Sequence, residues 1–551
     1  MNQSLRRFGR WGVLGTGLLL LFFLSGLAKG QNGGGTTLYL PLVSRGLSAP
    51  VLKFERLGCY SSWCETGWYS SPAVVDVNGD GRLDIVASAY SIWAIDGETG
   101  AILWKTRSGH DVTEGFDGVS NVGRTWPGIA VADVDRDGMQ EIITAHSGGV
   151  VSVYTLQGRF KPGWYQKPHT SEWRGLLVAD LDGNGSPMEI LATRAYGSAV
   201  NTWVFNASGQ LRANWPQLSN DSGYAWGVYN ANAAAGNFTG NSALEVVVPS
   251  DVHYINAYDA SGNQLPASNA DYPGKGWGKV GVWENLDVEK RGWGACDGVR
   301  AESYRANFAD GPATIADVNG DGIREVVVAG NMYDCSKSPY QSRYVAPFIF
   351  NADRSRFRVG VWDWRSNPLD TGAPIAEDYN VIESAEPNPV VADLDGDGVK
   401  EILFASYDGR VHAFWLDKTE HGNWPFEVYQ PSEGVLRFAS EPVVADLDLD
   451  GKAEVLFASW AAKGSNRTGK LHMVSFEGTA LFEVSLPAPF NANWNGALAA
   501  PTLASVDSDP DLEVILMTAH SGVVVYDLPG TAGARILWGT GRGNFQRTAS
   551  P

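Results

Sequence analysis

Acidic runs of one pattern recur along this chain, with Asp at position 1, Asp or Asn at 3 and 5, Gly at 6, and Asp or Glu at 9. The first is Asp76, Asn78, Asp80, Gly81 and Asp84, and the second is Asp133, Asp135, Asp137, Gly138 and Glu141. A third, Asp180, Asp182, Asn184, Gly185 and Glu189, carries one extra residue before its last carboxylate. Asp317, Asn319, Asp321 and Glu325, then Asp393, Asp395, Asp397 and Glu401, then Asp446, Asp448, Asp450 and Glu454 bring the strong copies to six. Two further copies are degraded. Asn237, Thr239, Asn241 and Glu245 keep a single carboxylate, while Ser505, Asp507, Asp509 and Glu513 surround Pro510 where Gly belongs.

The spacing has a chemical reason. Side chains at positions 1, 3 and 5 of a tight loop converge on one point, position 7 adds a backbone carbonyl, and the carboxylate at 9 closes the shell. Gly at 6 supplies the positive φ that the turn needs. Carboxylates gathered this way repel by about 1–4 kcal/mol per pair at 4 Å, so a hard cation must sit among them. The all-oxygen donor set points to Ca2+, about six ions in the strong copies, with weak or no binding in the two degraded ones. Solvated acidic turns are the bland alternative for one copy, but six in register argue against it.

The loop is not an EF-hand, because its flanks are β-type rather than helical. A short strand precedes each loop (SPAVV, PGIAVA, GLLVA, GPATIA, NPVVA, EPVVA), and an apolar run follows it, as expected of strands buried on both faces. A turn, a third strand (VVSVYTL, RVHAFWL, VVVYDL) and a Trp-rich fourth segment complete the unit. Four strands per repeat make a propeller blade. The first positions of successive copies lie 57, 47, 57, 80, 76, 53 and 59 residues apart. The two long intervals place insertions at residues 269–310 and near 331–344, the second holding Cys335.

These loops and strands resemble the FG-GAP/VCBS-type repeat, the calcium-bearing blade of integrin α-subunit propellers. The resemblance covers about residues 70–545. It implies an all-β fold of eight four-stranded antiparallel blades, or seven if one degraded copy is not a full blade. It says little about function, because that family spans adhesion, lectin-like and enzymatic proteins.

The N-terminus reads as a secretory signal over residues 1–30. Arg6, Arg7 and Arg10 precede an uncharged stretch rich in Leu and Phe, and Ala28-Lys29-Gly30 offers small residues for cleavage. An uncleaved membrane anchor is the competing reading; no later segment is long and apolar enough to span a bilayer. Residues 31–50 read as a linker and 51–551 as the propeller. The expected location is therefore extracellular or the cell surface. The net charge of −19 becomes four units more negative once residues 1–30 are removed, which disfavours a nucleic-acid partner. Export also permits disulfides. Cys59, Cys64, Cys296 and Cys335 allow three pairings, of which Cys59–Cys64 and Cys296–Cys335 are favoured because each joins one local region.

Exposed aromatic faces stack on sugar rings. Trp63 and Trp68, near the Cys59–Cys64 segment, and Trp277, Trp283 and Trp293, in the long insertion, are the candidate contacts to a glycan. Trp104, Trp164, Trp215 and Trp424 read instead as wedges between blades. No catalytic residue is assigned: the eight His are dispersed, and no nucleophile elbow, P-loop or metalloprotease helix is present. Ala94 to Trp104 is similar to the tryptophan-docking motif of eight-bladed quinoprotein dehydrogenases, but it occurs once and reports architecture. The expected function is an adhesion module that binds an extracellular glycan or protein. A calcium-dependent polysaccharide lyase is the enzymatic alternative, ahead of a quinoprotein dehydrogenase.

Overall fold

The computed structural model describes residues 46–551 except 58, 61–62, 65–68, 89–90, 107–124, 195–199, 218–232, 251, 293–303, 309–310, 336, 338–340, 369–371 and 383–387. Short runs rich in Val, Ile and Ala build antiparallel strands, because β-branched side chains pack well on a pleated surface buried on both sides. In Glu141–Ala145 all five residues are buried.

Eight such sheets form eight blades. From first strand to last, blade 1 is Ala73–Val75, Asp84–Ser88, Ile92–Ile95 and Ile102–Lys105. Blade 6 is Val390–Ala392, Glu401–Ala405, Arg410–Phe414 and Phe426–Glu427. Blades 2, 3 and 4 begin with Ala130–Ala132, Trp173–Ala179 and Ala234–Gly236, and each has three regular strands rather than the four expected. Their fourth segments pair only through isolated bridges, such as Val151 with Gln166 and Thr202 with Gln217. Gly and Pro in those segments (Lys161-Pro162-Gly163, Trp215-Pro216) remove ladder donors and interrupt the pleat.

Blade 5 corrects one reading. Residues 331–334 and 341–344 lie not in an inserted loop but in the paired strands of a long hairpin, Glu325–Asp334 against Gln341–Phe350, ten residues per strand. The insertion at 269–310 is only partly loop. It contributes a short helix, Leu286–Gly292, and the strand Arg305–Asn307, which pairs with residues 331–333 of blade 5.

The ends of the described chain close the ring. Val51–Arg56 pairs antiparallel with Val523–Leu528, giving blade 8 (Thr502–Ala504, Leu512–Met517, Val523–Leu528) its outer strand. At the other end, Arg535–Trp538 pairs with Val443–Asp446, the first strand of blade 7. The chain then passes the first strands of the other blades. The carbonyls of Gly539, Phe545, Gln546, Thr548 and Ala549 accept N–H bonds from Leu503, Val131, Val178, Ala235 and Ile315, at 2.8–3.0 Å. These acceptors serve blades 8, 2, 3, 4 and 5 in turn. Arg547, 1% exposed, donates to the carbonyls of Ile129 (2.8 Å), Gly541 (2.7 Å), Ser71 (3.1 Å) and Pro72 (2.9 Å). The first strands of blades 1 to 6 contact their neighbours in turn, and this last segment runs along their inner edges.

Candidate metal loops

All eight acidic runs occupy the turn between the first and second strands of their blades, and local hydrogen bonds preshape each one. One oxygen of the last carboxylate accepts the N–H at position 2 in every copy. The distances run from 2.7 Å for Leu394 N–H to Glu401 up to 3.1 Å for Val318 N–H to Glu325, the degraded copies included. The side chain at position 5 accepts the N–H at position 7 in all eight, at 2.7–2.9 Å. The first Asp accepts the N–H of the Gly at position 6, as Asp393 does from Gly398 at 3.0 Å. That Gly sits at φ of 77–92° in all six strong copies, a conformation that costs a residue with a Cβ. The strong copies thus spend a lone pair of the side chains at position 1, position 5 and the end of the loop on their own backbone.

Burial decides the electrostatics. Glu401 is fully buried and its Oε1 has no hydrogen-bond partner. Burial, reinforced by the charges of Asp395, Asp393 and Asp397, pushes its carboxyl up to about 9. Burial and neighbouring loop carboxylates push Glu325 and Glu454 up to about 7 and Glu513 up to about 8, and burial raises Asp84, Glu141 and Glu189 as well. A bound cation would reverse these shifts.

Carboxylate oxygens lie within 4.8 Å of one another in Asp133, Asp135 and Glu141, in Asp393, Asp395 and Glu401, and in Asp446, Asp448 and Asp450. They also do so in Asp507, Asp509 and Glu513, and in Asp509, Asp511 and Asp527. The last two groups belong to the copy discounted for its missing Asp and its Pro510. Neither Asp511 nor Asp527 is in the repeat pattern; the turn and third strand of blade 8 bring them in.

The sequence reading missed that some loops contain a side-chain cation. Lys161 Nζ lies 2.6 Å from Asp135, 3.2 Å from Asp137 and 2.7 Å from Glu141. Arg212 reaches Asp182 at 2.9 Å and Glu189 at 2.6 Å. Lys53, from the strand that closes blade 8, pairs with Asp507 and lies 3.6 Å from Glu513. A signal existed: Lys161 and Arg212 stand at the same place, three residues before Trp164 and Trp215.

The tryptophans take their places by a repeated bond. The indole N–H groups of Trp104, Trp164, Trp277, Trp364 and Trp424 donate to the carbonyls of Leu156, Ala207, Ala352, Leu416 and Phe476, each in the next blade, at 2.8–3.1 Å. Docking therefore recurs around the ring, although the sequence motif occurs once. Trp277 and Trp283 are 0% and 2% exposed, which corrects their reading as sugar platforms: a ring with no exposed face, like that of Trp277 with Phe238 and Phe350 packed at steep angles to it, cannot stack on a ligand. Trp68 and Trp293, the Trp63 side chain and Cys296 lie outside the described residues. The Cys59–Tyr60 and Trp63–Cys64 strands set the two cysteines opposite each other in register. Cys335 is disulfide-bonded.

One arrangement has the look of a catalytic triad. Ser459 Oγ is 3.0 Å from His472 Nε2, and Glu483 Oε1 is 2.9 Å from Nδ1. Ser459 is fully buried and its oxygen accepts the Lys470 N–H at 2.8 Å, so the hydroxyl is engaged in the sheet as it stands. His412 holds the same strand position in blade 6, between Asp408 (3.0 Å) and Glu420 (3.1 Å). These are packed polar networks. Ser459, His472 and Glu483 line a cleft of about 410 Å³ between blades 6 and 7, together with Phe426, Arg437 and Lys470.

Fold and loops together define an eight-bladed β-propeller with an acidic loop at the first turn of each blade. By sequence, residues 68–102 match the FG-GAP repeat and residues 393–457 the FG-GAP-like repeat; together with the eight-bladed ring, these matches fit an FG-GAP-type repeat propeller. No curated protein matches it. Among solved structures it is similar to the V. cholerae biofilm matrix protein Bap1, at 14% identity over 91% of this chain and 96% of that one, with TM-score 0.39. It is also similar to Saccharomyces cerevisiae Sqt1, at 12% identity over 88% and 100%, with TM-score 0.47. A third is the quinohemoprotein alcohol dehydrogenase from Comamonas testosteroni, at 13% over 85% and 75%, with TM-score 0.42.

Proposed function

We propose that the protein is an extracellular binding module whose acidic loops hold calcium and stiffen the propeller, presenting a surface for a glycan or protein ligand. One observation carries the calcium reading. In blade 6 the fully buried Glu401 keeps an oxygen without a partner, beside Asp393 and Asp395, with carboxylate oxygens within 4.8 Å of one another. Burying a carboxylate this way is costly unless a cation joins it, and hard oxygen donors at this spacing suit Ca2+.

The last segment of the chain runs along the inner edges of the first strands, so the ligand surface is assigned to the outside of the ring. The cleft between blades 6 and 7 is our choice: its mixed charges and the rings of Phe426 and His472 fit a polar ligand of sugar size. Extracellular placement rests on the signal-like N-terminus; among the described residues no helix is long and apolar enough to cross a membrane. A glycan array probed with and without calcium, using wild type and Lys470→Ala, tests the reading. Calcium-dependent binding that the variant loses supports it. New reducing or unsaturated ends in the bound glycan would replace the module with an enzyme.

A further inference from the structure

Among the described residues, a half-buried lysine or arginine bridges two carboxylates in each of the loops of blades 2, 3 and 8. We propose that the loops of blades 2, 3 and 8 are neutralised by Lys161, Arg212 and Lys53 and take no calcium. The ring would then bind four ions, in blades 1, 5, 6 and 7, rather than one in each of the six strong repeats. This rests on the reading of the acidic loops as calcium sites.

Position matters more than proximity. Each of the three cations touches the carboxylates at position 3 and at the end of its loop, the pair a central ion would share. Their side chains are only 13%, 18% and 15% exposed. Calcium sits about 2.3–2.6 Å from its oxygens, so ion and ammonium cannot occupy the same loop. Displacing a tethered cation also breaks two or three charge-assisted bonds. Arg82 in blade 1 is different: it meets only Asp80, at 2.8 Å, and is 46% exposed at the rim. Blade 4 closes on itself, with the Asn241 amide donating to Thr239 (2.7 Å) and Glu245 (2.8 Å). Glu401 Oε1 and Asp446 Oδ1 in blades 6 and 7 are buried and accept no hydrogen bond, as is true of Asp135 Oδ1 and Glu513 Oε1 in blades 2 and 8. In blades 2 and 8 the half-buried lysine meets those same carboxylates, whereas in blade 7 Arg535 comes only within 3.9 Å of Asp446 and is 56% exposed.

The metal-dependent loops of blades 5, 6 and 7 are neighbours and touch. A Cβ added to Gly320 would lie 2.9 Å from the Gly398 carbonyl, and one added to Gly396 would lie 2.5 Å from that of Gly451. Backbone bonds from Lys400 N–H to Val318 (2.9 Å) and from Ala453 N–H to Leu394 (2.8 Å) join the same three loops. Removing calcium should therefore loosen blades 5–7 together and leave blades 2–4 as they were.

Hydrogen exchange read by mass spectrometry, with calcium and with chelator, tests this loop by loop. Chelation should speed exchange at least tenfold in 317–325, 393–401 and 446–454 and leave 133–141, 180–189 and 505–513 unchanged. An equal response in all these loops would overturn the partition. Equilibrium dialysis with calcium alone should give four ions for wild type and one more for Lys161→Met; Arg212→Met makes the same test in blade 3 should the first variant not fold. Six or more ions in wild type, or no gain in a folded variant, would overturn the inference while leaving the calcium reading intact. No bound calcium at all would overturn the calcium reading itself.

Discussion

Replacing Glu289 by Gln should destabilise the propeller far more than any surface change in the same insertion. Glu289 is fully buried on the helix Leu286–Gly292. It accepts from Arg356 Nε at 2.9 Å, from Arg354 Nη1 at 3.5 Å and from the Tyr272 hydroxyl at 2.6 Å. Both arginine side chains are 0% exposed. The variant leaves two buried guanidiniums without their countercharge, a loss of about 3–5 kcal/mol. A ring of roughly 500 residues has an unfolding entropy near 1 kcal/mol/K, so cooperative melting should shift down by about 3–5 °C. Asp271→Asn is the control. It breaks a 2.8 Å pair with Lys290 whose side chains are 24% and 38% exposed, and should cost under about 1 kcal/mol. Differential scanning calorimetry at neutral pH reads both. The pH dependence has a definite sign. Burial alone would raise the Glu289 pKa, but Arg356, Arg354 and Tyr272 outweigh it and hold the carboxyl below its ordinary 4.5. A depressed folded-state pKa gives stability that is present above 4.5 and lost as pH falls through the folded value. The gap between wild type and Glu289→Gln should therefore narrow under acid. A Glu289→Gln shift no larger than that of Asp271→Asn would refute the claim that this network pins the insertion.

Four further outcomes are expected. Chelation should lower the melting temperature, since a site binding at about 0.1 mM gains roughly 1.4 kcal/mol in millimolar calcium; Asp397→Ala should reduce that gain and Asn241→Ala leave it unchanged. In chelator, stability should fall as pH rises from 4.5 through about 7 to about 9, because the raised carboxyls of Glu325, Glu454 and Glu401 resist ionising in the fold; a flat profile would contradict their burial. Arg547→Met should strip charge-assisted bonds from the axis, each worth about 1.5–3 kcal/mol, and lower the melting temperature by several degrees in calorimetry. Alkylation without reductant, followed by mass spectrometry, should label no cysteine; two or more labelled thiols would reject the pairing of Cys59 with Cys64 and of Cys296 with Cys335.

The sequence by itself determined the repeat, the strand flanks and hence the number of blades, because each loop is a local object. Its Gly turn, its anchoring last carboxylate and its apolar strands lie within about fifteen residues, and even the degraded copies at Asn237 and Ser505 fold to the same hydrogen bonds. The wedge role of Trp104, Trp164 and Trp424 was legible for the same reason: it follows from position within one repeat.

What spans blades was not legible. Lys53 meets Asp507 only because the N-terminal strand closes the last blade, 454 residues away along the chain. Arg547 meets Ser71 and Pro72 because the last segment returns along the axis. Trp277 and Trp283 lie in a segment that reads as a loop, yet they are buried where the insertion packs against blade 5. Composition fixes how many carboxylates a loop carries. Whether a metal or a side chain neutralises them depends on which distant residue the ring brings to the loop, and only the closed tertiary structure decides that.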